Sequence, residues 1–254
     1  MWRHFNTNEF YHIYDRGVDK RKLFLDKSDY IRFVHDLYEF NDRNPALEFS
    51  RRKDIRGQNV GSRVSHIVPY RTLRIKGLDK GKIGEDRRDV LVRIHAFVLM
   101  PNHYHILVEQ IKDSGISLFM RKINTGYTRA FNQRYKRNGH LFQGPFKSIH
   151  VENDVHLGFL ICYLHSNSLD LWRSNWKGIK ITEPEIEQAL KFLEKYKWSS
   201  HLDYLGIKNF SSVVSKDFLL EFFDGIKGYK EFFIDWLRQY KKSIEHIKEL
   251  IFKK

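Results

Sequence analysis

The chain of 254 residues is long enough for one sizeable core with appendages, and its 41% apolar and 15% aromatic content excludes a disordered polymer. A formal net charge of +14 points to a polyanionic partner. Nucleic acid comes before a membrane, because no apolar run approaches the roughly 20 residues that a spanning helix needs.

In chain order, Phe10 to Tyr14 alternate and run into Asp15-Arg16-Gly17, a strand followed by a turn. Asp26-Lys27-Ser28-Asp29 precedes a helical pattern of Tyr30, Phe33, Val34, Leu37, Tyr38 and Phe40, with Asp26 or Ser28 as its N-cap. From Arg43 to Asp89 the character changes: thirteen Lys or Arg stand against six Asp or Glu, which is +7, half the net charge of the chain. A structureless loop of that length is unusual inside a compact domain. The segment reads as a basic insertion (about 43–89), with a weakly alternating hairpin arm at Ser65–Val68 and Thr72–Ile75. It serves either as a solvated linker or as extra basic surface for a DNA backbone.

Val90 to Met100 then predicts a long strand, turning through Pro101-Asn102 into an alternating strand from His103 to Val108. Leu118 to Arg137 predicts a helix, Lys147 to Val151 a short strand, and Asp154 the cap of a further helix carrying Leu157, Leu160, Ile161 and Leu164. Strand, helix, strand, strand, helix, strand is the ferredoxin-like split βαβ order, so the expected class is α+β with an antiparallel sheet. Trp172 and Trp176 flank a basic loop, Glu183 to Leu193 reads as a helix after Thr182, and Val213 to Lys254 as two or three amphipathic helices. Residues 1–172 are thus expected to form one domain and 173–254 a mainly helical extension. The single Cys162 excludes an internal disulfide and is expected to be a buried thiol. Met1 to Asn6 lacks the apolar stretch of a leader, so a cytoplasmic protein is expected.

The chemistry centres on His103-Tyr104-His105. Side chains of an extended strand alternate faces, so the two imidazoles point the same way, one pleat apart, where they can hold one metal ion or one phosphate. Alone, the pair reads equally well as two surface histidines on an edge strand. Three ordered blocks change the odds: HAFVLMPNHYHILVE (95–109), MRKINTGYTRAFNQRY (120–135) and GHLFQGPFKS (139–148). Together they resemble the HUH single-tyrosine transposases, in particular the REP-associated tyrosine transposase branch. The opening FYHIYDRGVDKRKLFLDKSDYIRFVHDL (10–37) also resembles that family's first strand and helix.

The resemblance implies the ferredoxin-like fold and a catalytic domain over 1–172. It also implies an enzyme that nicks and rejoins single-stranded DNA beside a hairpin through a covalent 5′-phosphotyrosine. Tyr127 is the expected nucleophile, and His103 and His105 the expected metal ligands. The family's third ligand is a polar side chain one turn beyond the tyrosine. Position 131 is Phe, so the choice falls on Asn132, with Gln133 and Asn124 the other nearby amides. Two imidazoles alone would suit zinc, whereas phosphoryl transfer and the family likeness imply Mg²⁺ or Mn²⁺. Arg129, Arg134, Lys136, Arg137 and Lys147 are expected phosphate contacts, with Phe142 stacking on unpaired bases. A homodimer is as compatible with this chemistry as a monomer. Two other readings stand beside it: a non-catalytic binder of structured or single-stranded nucleic acid, and a zinc hydrolase using the histidine pair and an activated water.

Overall fold

The computed structural model describes residues 4–44 and 88–251, with side chains up to residue 240. The basic insertion and hairpin arm expected at 43–89 therefore lie, apart from the flanking residues 43, 44, 88 and 89, outside the described residues. Strands β1 (Phe10–Arg16), β2 (Val92–Met100), β3 (His103–Gln110) and β4 (Lys147–His150) form one antiparallel sheet in the order β2-β3-β1-β4. Helix α1 (Lys27–Glu39) links β1 to β2, and α2 (Gly115–Arg134) links β3 to β4. This is the split βαβ arrangement that the periodicity predicts.

Local chemistry sets the helix ends. The Asp26 carboxylate accepts from the Ser28 amide at 2.8 Å and caps α1. Helix α2 begins at Gly115, ahead of the expected Leu118, because the chain turns through Ser114 in the left-handed region (φ 58°). Helix α3 (Asp154–Ser166) is capped by Asn153, whose side chain accepts from the His156 amide, rather than by Asp154.

Helices α1 and α2 cover one face of the sheet. Phe33 of α1 lies 5.0 Å, ring to ring, from both Tyr104 of β3 and Tyr127 of α2. The two helices meet closely at Gly126, where a Cβ would fall 2.3 Å from the Phe40 ring. Helix α3 covers the other face, with Cys162 buried on it. It is apolar on nearly all sides because a further layer lies outside it. That layer comprises α4 (Glu183–Lys195), α5 (His201–Tyr204), α6 (Asp217–Phe222) and α7 (Gly225–Ile251). Phe159 of α3 packs on Trp236 of α7 at 5.4 Å, and the residues after 172 share one hydrophobic core with the sheet.

The segment from Trp198 to Ser215 closes the outer edge of β2. The Leu99 amide donates to the Trp198 carbonyl (2.9 Å), Ser200 to Phe97 (3.0 Å) and Ser215 to Ile94 (2.8 Å). The Ser200 hydroxyl also accepts from the Phe97 amide and meets His165 Nε2 at 2.7 Å. From there a buried chain continues: His165 Nδ1 to the Tyr229 hydroxyl (2.7 Å), and that hydroxyl to His201 Nδ1 (2.7 Å). One phenol on α7 therefore ties α3 to the strand-edge segment.

Removing that hydroxyl leaves two buried imidazoles short of a partner. Tyr229→Phe is expected to cost about 2–3 kcal/mol, read as a lowered urea midpoint with an unchanged slope. Burial holds His201 at about 3 and His165 well below its ordinary range. Below pH 6.5 the unfolded chain binds protons that the folded chain does not. Stability is therefore full above about pH 6.5 and falls with pH, by about 2 kcal/mol at pH 5 from His201, with His165 acting in the same direction. Urea midpoints at pH 7.5 and pH 5 check this.

Candidate functional site

Pairing across the sheet decides what faces what. His105 stands opposite Tyr14 of β1 and Val98 of β2, and His103 opposite Arg16 and Met100. Lys147 of β4 stands opposite Tyr14. All of these share the face that α3 covers. The His103 and His105 rings are 5.1 Å apart and nearly perpendicular. Each is held by a neighbour. His103 Nδ1 lies 2.7 Å from Asn102 Oδ1, which accepts only, so the proton sits on Nδ1 and Nε2 keeps its lone pair. His105 Nδ1 lies 2.8 Å from His12 Nε2. Burial lowers all three imidazoles, His12 to about 3 and His105 well below its usual value, with neighbouring histidines and Lys177 adding to the effect at His105. Neutral imidazoles of this kind are competent ligands.

Two phenols reach this face: Tyr14 of β1, whose ring stacks 5.7 Å from that of His105 and 5.0 Å from that of His12, and Tyr163 of α3. The Tyr163 ring lies 5.7 Å from that of His105 and 6.3 Å from that of His12, edge-on to both. One turn further, Asn167 places its side chain against both the Tyr163 phenol and the His103 ring. Burial pushes the Tyr163 phenol up to about 12. Asn167 pulls it down, while Asp170 and Tyr14 push it up. Beyond α3 the chain makes a 3-10 turn (Asn167–Leu171) and then a second one (Trp176–Gly178). The Asp170 carboxylate takes the Trp176 indole N–H (2.9 Å) and the Lys177 ammonium (2.7 Å). That ammonium stands 5.8 Å from the centre of the Tyr163 ring.

The structure corrects several expectations. Tyr127 lies on the opposite face, 1% exposed, donating its hydroxyl to the Leu23 carbonyl at 2.6 Å and ringed by Phe24, Phe33, Phe131 and Phe142. Burial raises its phenol far above the ordinary tyrosine range, and the whole sheet separates it from the histidine pair. Asn132, on the same helix, donates to the Gly139 carbonyl and accepts from Arg137, so it meets neither histidine. Phe142 is 6% exposed and packs on Tyr104 and Tyr127, leaving no ring face for a base. Arg134 is spent on Asp26 (2.6 Å) and Asp29 (2.9 Å), fastening α2 to the start of α1. Arg129 and Lys136 are exposed on the α1/α2 side of the molecule, away from the pair, whereas Lys147 is exposed on the histidine face.

Reasoning from sequence passed over Tyr163, Asn167, His12 and Lys177. A signal for the first two was present: the family pattern wants a polar side chain one turn after its tyrosine, which Phe131 fails and Tyr163-Leu164-His165-Ser166-Asn167 satisfies. His12 and Lys177 carry no such signal, since only the fold brings them to the pair.

As a donor set, two neutral imidazoles and one carboxamide fit a divalent ion of borderline or hard character. Among the described residues no cluster of three His, Cys, Asp or Glu offers an alternative metal centre, and no helix is long and apolar enough to cross a membrane. With a phenol across from the pair, the arrangement suits in-line chemistry at a phosphate.

Residues 80–167 match the family model described as "Transposase IS200 like". No curated protein matches the sequence. A solved structure described as a REP-associated tyrosine transposase bound to a REP hairpin aligns with a TM-score of 0.46 and 13% identity, covering 83% of this chain and 88% of that one. The stretch that is similar to the family model holds the paired histidines, Tyr163 and Asn167.

Proposed function

We propose that this chain is a metal-dependent single-stranded DNA nicking and rejoining enzyme of the REP-associated tyrosine branch, acting beside DNA hairpins, with Tyr163 in the role expected of Tyr127. The observation that carries this reading is the convergence of Tyr163, Asn167, His103 and His105 on one sheet face within the family-matching stretch. The catalytic unit is then 1–172, with 173–254 built onto it as a helical brace behind the nucleophile helix.

Mg²⁺ or Mn²⁺ held by His103, His105 and Asn167 would supply Lewis-acid polarisation of the phosphoryl oxygens. The protein's part is positioning and charge. Asn102 fixes the His103 tautomer and His12 steadies His105, so the pair meets substrate already oriented. Asn167 holds the Tyr163 phenol and offsets part of the burial that keeps it protonated. In the step, the Tyr163 oxygen bonds to phosphorus and the bond from phosphorus to the 3′-oxygen breaks. The phenolic proton leaves to solvent and the departing 3′-oxygen takes one up. The reverse step rejoins strands. Arg16 and Lys147 border the same face and are suited to the flanking phosphates.

Two expected outcomes test this. With a labelled hairpin oligonucleotide and Mn²⁺, wild-type protein forms a covalent adduct that Tyr163→Phe abolishes. His103→Ala or His105→Ala slows the adduct by about 10²-fold or more, and chelator removes it while hairpin binding persists. Tyr127→Phe, by contrast, keeps the adduct and costs only about 1–2 kcal/mol of stability, from its lost bond to Leu23. Folded wild-type protein that binds tailed hairpins but gives no adduct on any of them would leave a nucleic-acid binder instead.

A further inference from the structure

The face that carries the histidine pair has Lys147 at its β4 border, opposite Tyr14. His12, His103 and His105 are neutral, and Arg16 stands at the end of β1 with its Nε on the Gln143 amide oxygen. The cation brought over the Tyr163 phenol is Lys177. Its placement is built by the surrounding chain. Trp176 is 1% exposed, locked by ring contact with Tyr240 at 4.4 Å, and its indole N–H fixes the Asp170 carboxylate. The other oxygen of that carboxylate holds the Lys177 ammonium beside the phenol. The ammonium is close enough to the pair to bear electrostatically on both His103 and His105.

A bland reading exists: Lys177 and Asp170 as one more surface ion pair, of little energetic worth. It does not explain why a buried tryptophan anchors the turn so that the ammonium lies over the Tyr163 ring, edge-on to the histidines. Both partners keep about a third of their side-chain surface exposed, so a phosphate can reach the ammonium and the flexible stem can follow it.

Building on the nicking function proposed above, we propose that Lys177 is the catalytic cation of this site. Its ammonium contacts a non-bridging oxygen of the DNA phosphate attacked by Tyr163, and Asp170 parks it there before substrate arrives. The contact is strongest where charge accumulates on the phosphoryl oxygens as the Tyr163 oxygen adds and the 3′-oxygen departs.

The test uses the full-length protein and its Lys177→Met and Lys177→Arg variants. Adduct formation on a tailed hairpin with Mn²⁺ is expected to slow by about 10²-fold in Lys177→Met and to recover substantially in Lys177→Arg. A second readout is one that a merely structural lysine would not move. Hairpin strands carry a neutral methylphosphonate at one linkage at a time, and binding is measured in chelator. Wild-type protein should lose affinity when the neutral linkage lies at the cleavage position, and Lys177→Met should lose that discrimination there while keeping it elsewhere. Lys177→Met reacting at the wild-type rate, or discriminating at every linkage as wild type does, overturns the assignment. Should wild-type protein form no adduct yet keep a linkage whose discrimination vanishes in Lys177→Met, the nicking function falls while the phosphate contact of Lys177 stands.

Discussion

Side chains leave strand β3 alternately, and everything chemical in this molecule follows from which of its two faces each one takes. His103 and His105 go to one side, Tyr104 and Ile106 to the other. The sheet is two-sided in a strict sense: α1 and α2 close the Tyr104 side into an aromatic core, and α3 with the C-terminal helices closes the histidine side. A helix-borne phenol can meet the histidines only from the second of these layers. Tyr127 and Tyr163 are both buried tyrosines on long helices, yet four strands of backbone stand between their hydroxyls and settle which one shares a surface with the pair.

Much of the fold was legible because it rests on periods of two and 3.6 and on caps. The strands around His12, Phe97, His105 and Ile149, the Asp26 cap and the helix that follows Thr182 all follow from local pattern. The histidine pair was legible for the same reason, since alternation along one strand needs no tertiary information. Tyr127 was not resolvable that way. Choosing between two helices requires knowing which crosses over which face, and periodicity along a helix does not carry that. Phe142 and Arg134 failed similarly: an aromatic and a cation beside a Gly-rich turn read as nucleic-acid contacts, and only packing reveals that one fills the core and the other ties two helices. Trp198-Ser199-Ser200 carries neither period, and only the fold reveals that it hydrogen-bonds to β2.

The C-terminal helices act on the site through one layer of separation. Tyr229 reaches His165, two residues beyond Tyr163, and Trp176 packs on Tyr240 while fixing Asp170. The outer helix therefore buttresses both the helix that presents the phenol and the turn that presents Lys177. A side chain on a helix is only as well placed as the packing behind that helix, and here the packing is aromatic, buried and hydrogen-bonded.

One feature of the sheet bears on assembly. With the outer margin of β2 already occupied by the chain's own Trp198–Ser215 segment, a second molecule has no backbone ladder to join there. The margin left among the described residues is β4, four residues long and opened by a lysine, the sort of brief, charged border that discourages strand-to-strand stacking. Copies of this protein that associate therefore do so by some route other than continuing the sheet across β2.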